Sequence, residues 1–422
     1  MNEITITLII LTFAVVMLIW EKIPLALTAM IVAMTFVLTG ILTPAQGFAG
    51  FVNSNVIVFF SMFIVGGALF ETGAAAQVGG LVMKLAKTER QTMFLLMLVA
   101  GVMSGLLSNT ATAAMFLPVI IGISTKSGIS RSRLLMPMAF ATSMGGSLTL
   151  VGTPPNLIVQ SVVQEAGYSF GFFEFAIIGV PRLGLGILYF YFFGYKLLPK
   201  GENTHVGESI FDDAPNDFSH IPRWKRIGSM IILALTSLGM ALESVIGVPL
   251  HVTSAIGALS LVLFGIISEK QAYRAVDMST IFLFAGTLAL ATALDITGTG
   301  AAIANVVIGL LGENAPPIVL LITIVLLAGA LTQFMSNTAS AAILAPVVLS
   351  IAIGMNIDPR AAMMAVATGS TIAYASPVAT PPLTMIYGLG GYKFTDYIKN
   401  GMPVIVIVFL ASIIVLPIFF PF

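Results

Sequence analysis

The sequence predicts an all-α polytopic membrane protein made of two inverted repeats, each holding five transmembrane helices and one re-entrant hairpin. Three observations lead there. Hydrophobic residues make up 58% of the 422 and charged residues 9%, at a mean hydropathy of +1.05, whereas a soluble domain carries about 25% charged residues. Motifs of the first half return in the same order in the second, and basic residues gather in alternate connections. A chain this apolar cannot cover itself with polar surface, so lipid is its solvent.

A helical span needs roughly 20 mostly apolar residues. The first half offers 4–20, 23–42, 54–72, 134–164 and 175–195, and the second 227–245, 249–267, 278–296, 361–389 and 402–420. The stretch from Ile4 to Trp20 has neither a basic leader nor a small-residue cleavage site, and reads as a retained helix. Two further stretches, 92–125 and 316–354, are too long for one span, and Ser-Asn-Thr interrupts each near its middle. A re-entrant hairpin fits them best. With the N-terminus outside, the cytoplasmic side collects 16 of the 18 basic residues, leaving Arg182 and Arg360 outside, as the bias of Lys and Arg toward cytoplasmic loops requires. That bias holds only if hairpin 92–125 enters from the cytoplasm and hairpin 316–354 from outside.

The repeat is read from its echoes. Ile23-Pro24-Leu25 returns as Val248-Pro249-Leu250, Thr72-Gly73 as Thr297-Gly298, and Ser108-Asn109-Thr110 as Ser336-Asn337-Thr338; Gly152-Thr153-Pro154-Pro155 returns as Ala379-Thr380-Pro381-Pro382. Repeat 1–199 and repeat 227–422 flank a polar segment, 200–226, read as a cytoplasmic linker. Five spans are an odd number, so the second copy is inverted. Inverted repeats with interrupted helices describe secondary transporters.

Chemistry concentrates at four places. Ser108-Asn109-Thr110 and Ser336-Asn337-Thr338 stand before apolar helical runs as N-cap residues do. At membrane depth such a tip offers free N–H groups and the positive end of a helix dipole, a seat for an anion without a formal charge. Each Pro-Pro pair removes two donors and breaks its span, so carbonyls should be freed just before the prolines and donors just after. Carbonyls and hydroxyls suit a hard cation such as Na⁺, and half-helix N-termini suit an anion. No acidic residue lies between Arg90 and Glu165 or between Asp358 and Asp396, and no Lys or Arg lies at a tip or a break. Glu71 and Asp295 hold matching places near opposite faces and read as snorkelling or capping residues. Gly145-Gly146 reads as a close helix contact.

At these residues the chain resembles the divalent-anion/sodium symporters, INDY-type carriers of dicarboxylates, citrate and sulfate, and within them a citrate-transporter-like permease branch through Gly388-Leu389-Gly390-Gly391-Tyr392. The resemblance covers essentially the whole chain, although Leu383 follows the second Pro-Pro where that family commonly has Asn. It implies one sodium site from Ser104, Ser108, Asn109 and the carbonyl of Gly152, and a mate from Thr332, Asn337 and the carbonyl of Ala379. It implies anion contacts from Asn109, Thr110, Asn337, Thr338 and Thr380, with Pro381 lining the pocket. It also implies a homodimer working by an elevator motion, a transport part (92–195 and 316–420) moving against a scaffold (4–72 and 227–296).

The expected function is therefore Na⁺-coupled symport of a small divalent anion, a di- or tricarboxylate such as succinate or citrate, or sulfate, in the bacterial cytoplasmic membrane. An exchanger or proton-coupled permease of the same fold is the alternative. Without cysteine, and with His205, His220 and His251 scattered, the chain presents no metal cluster or nucleophile–base pair, so an intramembrane enzyme is a distant reading. Paired hairpins argue against a continuous channel.

Overall fold

The computed structural model describes residues 2–20, 22–74, 86, 88–199, 221–311, 316–377 and 379–420. Residues 201–220 of the expected linker, with Asp212 and Asp213, lie outside these. The described residues form helices and connections, with no strand among them. In the first half these are α1 (Glu3–Trp20), α2 (Leu25–Leu38), α3 (Pro44–Phe48), α4 (Ser54–Glu71), α5 (Glu89–Ser104), α6 (Asn109–Ser127), α7 (Ser132–Gly145), α8 (Pro154–Glu165) and α9 (Ala176–Phe192). The second half holds α10 (Arg223–Ala241), α11 (Glu243–Ile246), α12 (Leu250–Leu263), α13 (Glu269–Ala275), α14 (Met278–Ile296), α15 (Thr299–Leu311), α16 (Pro317–Leu331), α17 (Asn337–Gly354), α18 (Pro359–Gly369), α19 (Pro381–Leu389) and α20 (Phe394–Phe419). Among the described residues five helical stretches are long and apolar enough to cross a membrane. Of the other expected spans, α2, α9 and α12 are shorter helices, 134–164 and 361–389 are broken, and α10 is a 19-residue helix with three basic residues at its start.

Local chemistry repeats between the halves as closely as the motifs do. Thr43 and Gln46 form a capping box before α3, and Ser268 and Gln271 form its counterpart before α13; each satisfies two donors at a helix start. Left-handed residues pair as Gly40 with Gly265, Gly73 with Gly298, Gly128 with Asn356, and Gly167 with Gly391. Asn356 is the one non-glycine among them, and its short polar side chain suits that conformation. Helices α3, α13 and α15 lie outside the expected spans. The longest of them, α15, has 13 residues, too short to register as a span.

The spans expected to break do break. Helix α7 ends at Gly145, passes through a 3₁₀ turn at Gly146–Leu148 and resumes as α8 at Pro154, while α18 ends at Gly369 and resumes as α19 at Pro381. The halves then cross over: α7 packs on α19 and α18 on α8, while α6 packs on α19 and α17 on α8. These reciprocal contacts bring both breaks and both hairpin tips to one centre. Within the first half Gly145 lets α7 pack closely on α5, since a Cβ there would lie 1.9 Å from the Gly101 carbonyl oxygen.

Tyr392 laces the halves from outside the centre. Its hydroxyl donates to the Ser132 carbonyl (2.5 Å) and accepts from the Met136 N–H (2.9 Å), so it stands inside the i→i−4 ladder of α7. The Gly390 carbon beside it has no room for a side chain, because a Cβ there would meet the Tyr392 ring at 2.1 Å. The Gly-Leu-Gly-Gly-Tyr stretch is thus a packing device.

Candidate functional site

Both hairpin tips are helix N-termini capped by their own serines. Ser108 Oγ accepts the Ala111 N–H at 3.1 Å and Ser336 Oγ accepts that of Ala339 at 3.1 Å. Helix geometry leaves the N–H groups of Asn109 and Thr110, and of Asn337 and Thr338, without an intrahelical acceptor. Thr110 is exposed and Asn337 nearly buried.

Around Asn109 the structure brings together three of the residues singled out above and adds a fourth. One corner of the Asn109 amide faces Ser104 Oγ at 2.7 Å, the Thr142 carbonyl at 3.1 Å and the Gly152 carbonyl at 3.3 Å. The Ser104 hydroxyl itself donates to Thr142 O at 2.7 Å. All of that corner's neighbours are oxygens. Two species satisfy it: an amide NH₂ turned inward to donate, or an amide oxygen sharing a cation with the other three. Gly146 closes the corner, because a Cβ there would fall 2.4 Å from the Asn109 amide oxygen.

The second half repeats the geometry. Thr332 Oγ1 donates at 2.7 Å to Ser370 O and lies 2.7 Å from Asn337 Oδ1. Ser370 stands to this half as Thr142 does to the first. Ala379 is buried at the end of the second loop, and the neighbouring Thr380 hydroxyl is buried without a partner among the described residues. A buried, unpaired hydroxyl costs free energy unless something hydrogen-bonds it. Pro381 is exposed.

Two expectations need correction. The donors just after the prolines are not free: Asn156 N donates to Thr153 O and Leu383 N to Thr380 O, so unspent N–H groups come from the tips. Basic residues do reach the breaks. Arg182 is fully buried in α9, and its guanidinium contacts Ser147 in the first loop and Thr371 and Tyr374 in the second. Its neighbours in sequence are apolar, and nothing there announces partners 189 and 192 residues away. Leu383, the departure from the family's motif, belongs to the packed core. Two further residues had no role assigned from the sequence, Asn156 at the end of the first Pro-Pro motif and Gln333. Asn156 Nδ2 ties the first loop by donating to Gly146 O and Thr149 O, and Gln333 ties the second by donating to Ile372 O and accepting from Ala375 N. The Thr142 and Ser370 carbonyls were invisible for another reason, since any residue type supplies a carbonyl.

A cavity of about 310 Å³ opens beside the first tip, lined among others by Phe63, Phe70, Glu71, Ser108 and Arg274. Met62, Phe63 and Ser108 also line a smaller one that reaches Gly152 and Pro154. Glu71 accepts from Gln271 Nε2 at 2.5 Å. It bounds the wider cavity instead of capping a helix.

Crossed broken helices, paired tips and a centre of hydroxyl and carbonyl oxygens beside one buried arginine belong here to an integral membrane transporter, not an enzyme. A citrate transporter family profile matches residues 15–356 and 319–422, and the chain belongs to that family. It is 29% identical to an uncharacterized transporter of Haemophilus influenzae, over 93% of this chain and 87% of that one. It is 25% identical to the sodium-dependent dicarboxylate transporter SdcS of Staphylococcus aureus strain USA300, over 90% of this chain and 79% of that protein. The fold matches the crystal structure of the Alcanivorax borkumensis YdaH transporter with a TM-score of 0.67 and 15% identity, covering 91% of this chain and 87% of the other.

Proposed function

We propose that the protein is a secondary active transporter that carries a small divalent anion together with Na⁺. The observation that carries this reading is the oxygen-only corner at Asn109, with its counterpart at Asn337. Ser104, Ser108, Asn109 and the Gly152 carbonyl form one sodium site, to which we add the Thr142 carbonyl. Thr332, Asn337 and the Ala379 carbonyl form the other, with the Ser370 carbonyl. Asn109, Thr110, Asn337, Thr338 and Thr380 hold the anion, beside Pro381. SdcS, a sodium-dependent dicarboxylate transporter by name, supports both the coupling ion and the substrate class.

The chemistry follows from the absence of a carboxylate at the centre. With no carboxylate in the tips or breaks, a cation is held by hydroxyls and carbonyls and an anion by N–H groups at helix starts. Each bound ion then lowers the energy of the other, and that mutual attraction is the coupling. The repeats are inverted, the N-terminus is outside, and the chain pairs as a homodimer. Parts 92–195 and 316–420 move as one body against 4–72 and 227–296.

The test is uptake of radiolabelled succinate, citrate and sulfate into proteoliposomes, with an inward Na⁺ gradient and with K⁺ in its place. Accumulation of any one only under the Na⁺ gradient supports the reading and selects the substrate group. Equal uptake in both would replace symport by exchange or proton coupling.

A further inference from the structure

Arg182 stands a third of the way along α9 with 0% of its surface exposed. Its NH1 donates to Ser147 Oγ (2.8 Å) and Thr371 Oγ1 (2.7 Å), and its NH2 to Thr371 O (2.6 Å) and Tyr374 OH (2.7 Å). All of these acceptors are neutral. Its Nε is buried without an acceptor, and the ion pairs among the described residues do not include it. A guanidinium does not lose its proton in a protein. A lone buried charge is expensive, and an ionisable residue at membrane depth marks function by default.

Its position relates it to both half-sites. Ser147 follows Gly146, which closes the Asn109 corner, and Thr371 follows Ser370, whose carbonyl takes the Thr332 hydroxyl. Bond lengths put the guanidinium within about 12 Å of the Asn109 amide. At that range and an effective dielectric constant of about 20, a unit charge changes anion affinity roughly tenfold per unit of anion charge.

We propose that Arg182 is the fixed cation of this site, a positioning and valence-selecting residue whose missing countercharge is the bound anion. The inference rests on the anion-binding reading above and deepens it. Hydrogen bonds to neutral oxygens hold the charge in place without cancelling it, so a dianion gains about the square of what a monoanion gains. The same positive charge repels bound Na⁺, so the anion must offset it for the cations to stay.

The test measures binding to the purified full-length protein in Na⁺, with succinate and its singly charged monomethyl ester as probes. Arg182→Gln should weaken succinate about 100-fold and the monoester about tenfold. Thr371→Asp should give the same unequal loss with the arginine kept, because its carboxylate would pair with the guanidinium, and this covers the case in which Arg182→Gln does not fold. Arg182→Lys should keep the preference for the dianion at lower overall affinity, since it keeps the charge and loses the fork. Equal losses for both probes, or none, in a folded neutralised variant would reduce Arg182 to a packing staple and leave the transport reading intact. If the wild type binds neither succinate, citrate nor sulfate, the anion-binding reading falls and this inference falls with it.

Discussion

The two breaks share a backbone plan but are held in different ways. The first loop, from Gly146 to Thr153, is tied by a residue of its own repeat, Asn156, which donates to the carbonyls of Gly146 and Thr149. At the matching place the second repeat has Leu383, buried in the core. Its loop is tied instead by Gln333 from the hairpin and by Arg182 from the first repeat. At the other end of the broken spans the dependence reverses. Helix α18 is capped by its own Asp358, while α7 has no side-chain cap and takes the hydroxyl of Tyr392 from the second repeat into its ladder. Each broken span is self-sufficient at one end and borrowed at the other. Matching Pro-Pro motifs set where the chain breaks, and side chains that differ between the halves tie the two broken spans together.

The largest effects should come from the elements that the halves share. Asn109→Ala and Asn337→Ala should each reduce Na⁺-driven uptake about 100-fold with expression unchanged, since a hydrogen bond to a charged group is worth roughly 1.5–3 kcal/mol. Wild-type uptake by either variant would remove that asparagine from the site. A difference between the two in the Na⁺ concentration for half-maximal uptake would show that the sodium sites are not equivalent.

Next come the positions where the halves differ. Asn156→Leu gives the first break the second's residue without the second's clamps, taking a donor from the Gly146 carbonyl and leaving the Thr149 carbonyl only the long bond from Gly152 N at 3.4 Å. It should cost about 1–3 kcal/mol, read as a lowered Tm. Leu383→Asn should also lower Tm, because it buries an amide in a packed core, and it should leave the ranking of anions unchanged. A changed ranking would return position 383 to the pocket.

How much of this was legible follows the same division. The broken spans and the hairpin tips were readable because Pro-Pro and Ser-Asn-Thr carry their own geometry within a few residues, whereas Ser104 and Thr332 came from the family resemblance and their matching places four residues before each motif. Arg182 was misread because most of its hydrogen bonds reach the other half of the chain and even Ser147 lies 35 residues away. The Thr142 and Ser370 carbonyls have no side-chain signature. Tyr392 was noticed only as part of a glycine-rich stretch, because its target in α7 is 260 residues away.

The smallest effects test the borrowed and the self-made helix starts against each other. Tyr392→Phe withdraws the inserted hydroxyl, after which Met136 N can return to Ser132 O. The net loss should be about 1 kcal/mol, independent of pH between 5 and 8 because no titrating group is removed. Asp358→Asn keeps a good N-cap and loses only the charge on its bonds to Arg360, so it should cost about 0.3 kcal/mol. Burial pushes the Asp358 carboxyl up, but the Arg360 guanidinium and N–H outweigh it and hold the group below its ordinary value of 3.8. A carboxyl lowered in the folded state stabilises above its unfolded value and loses that contribution as pH falls through the folded one. The gap in Tm between wild type and Asp358→Asn should therefore be steady from neutral pH down to about 4 and close only below it. A gap that closed near neutrality would assign the pH response to another group and leave α18 started by its cap geometry alone.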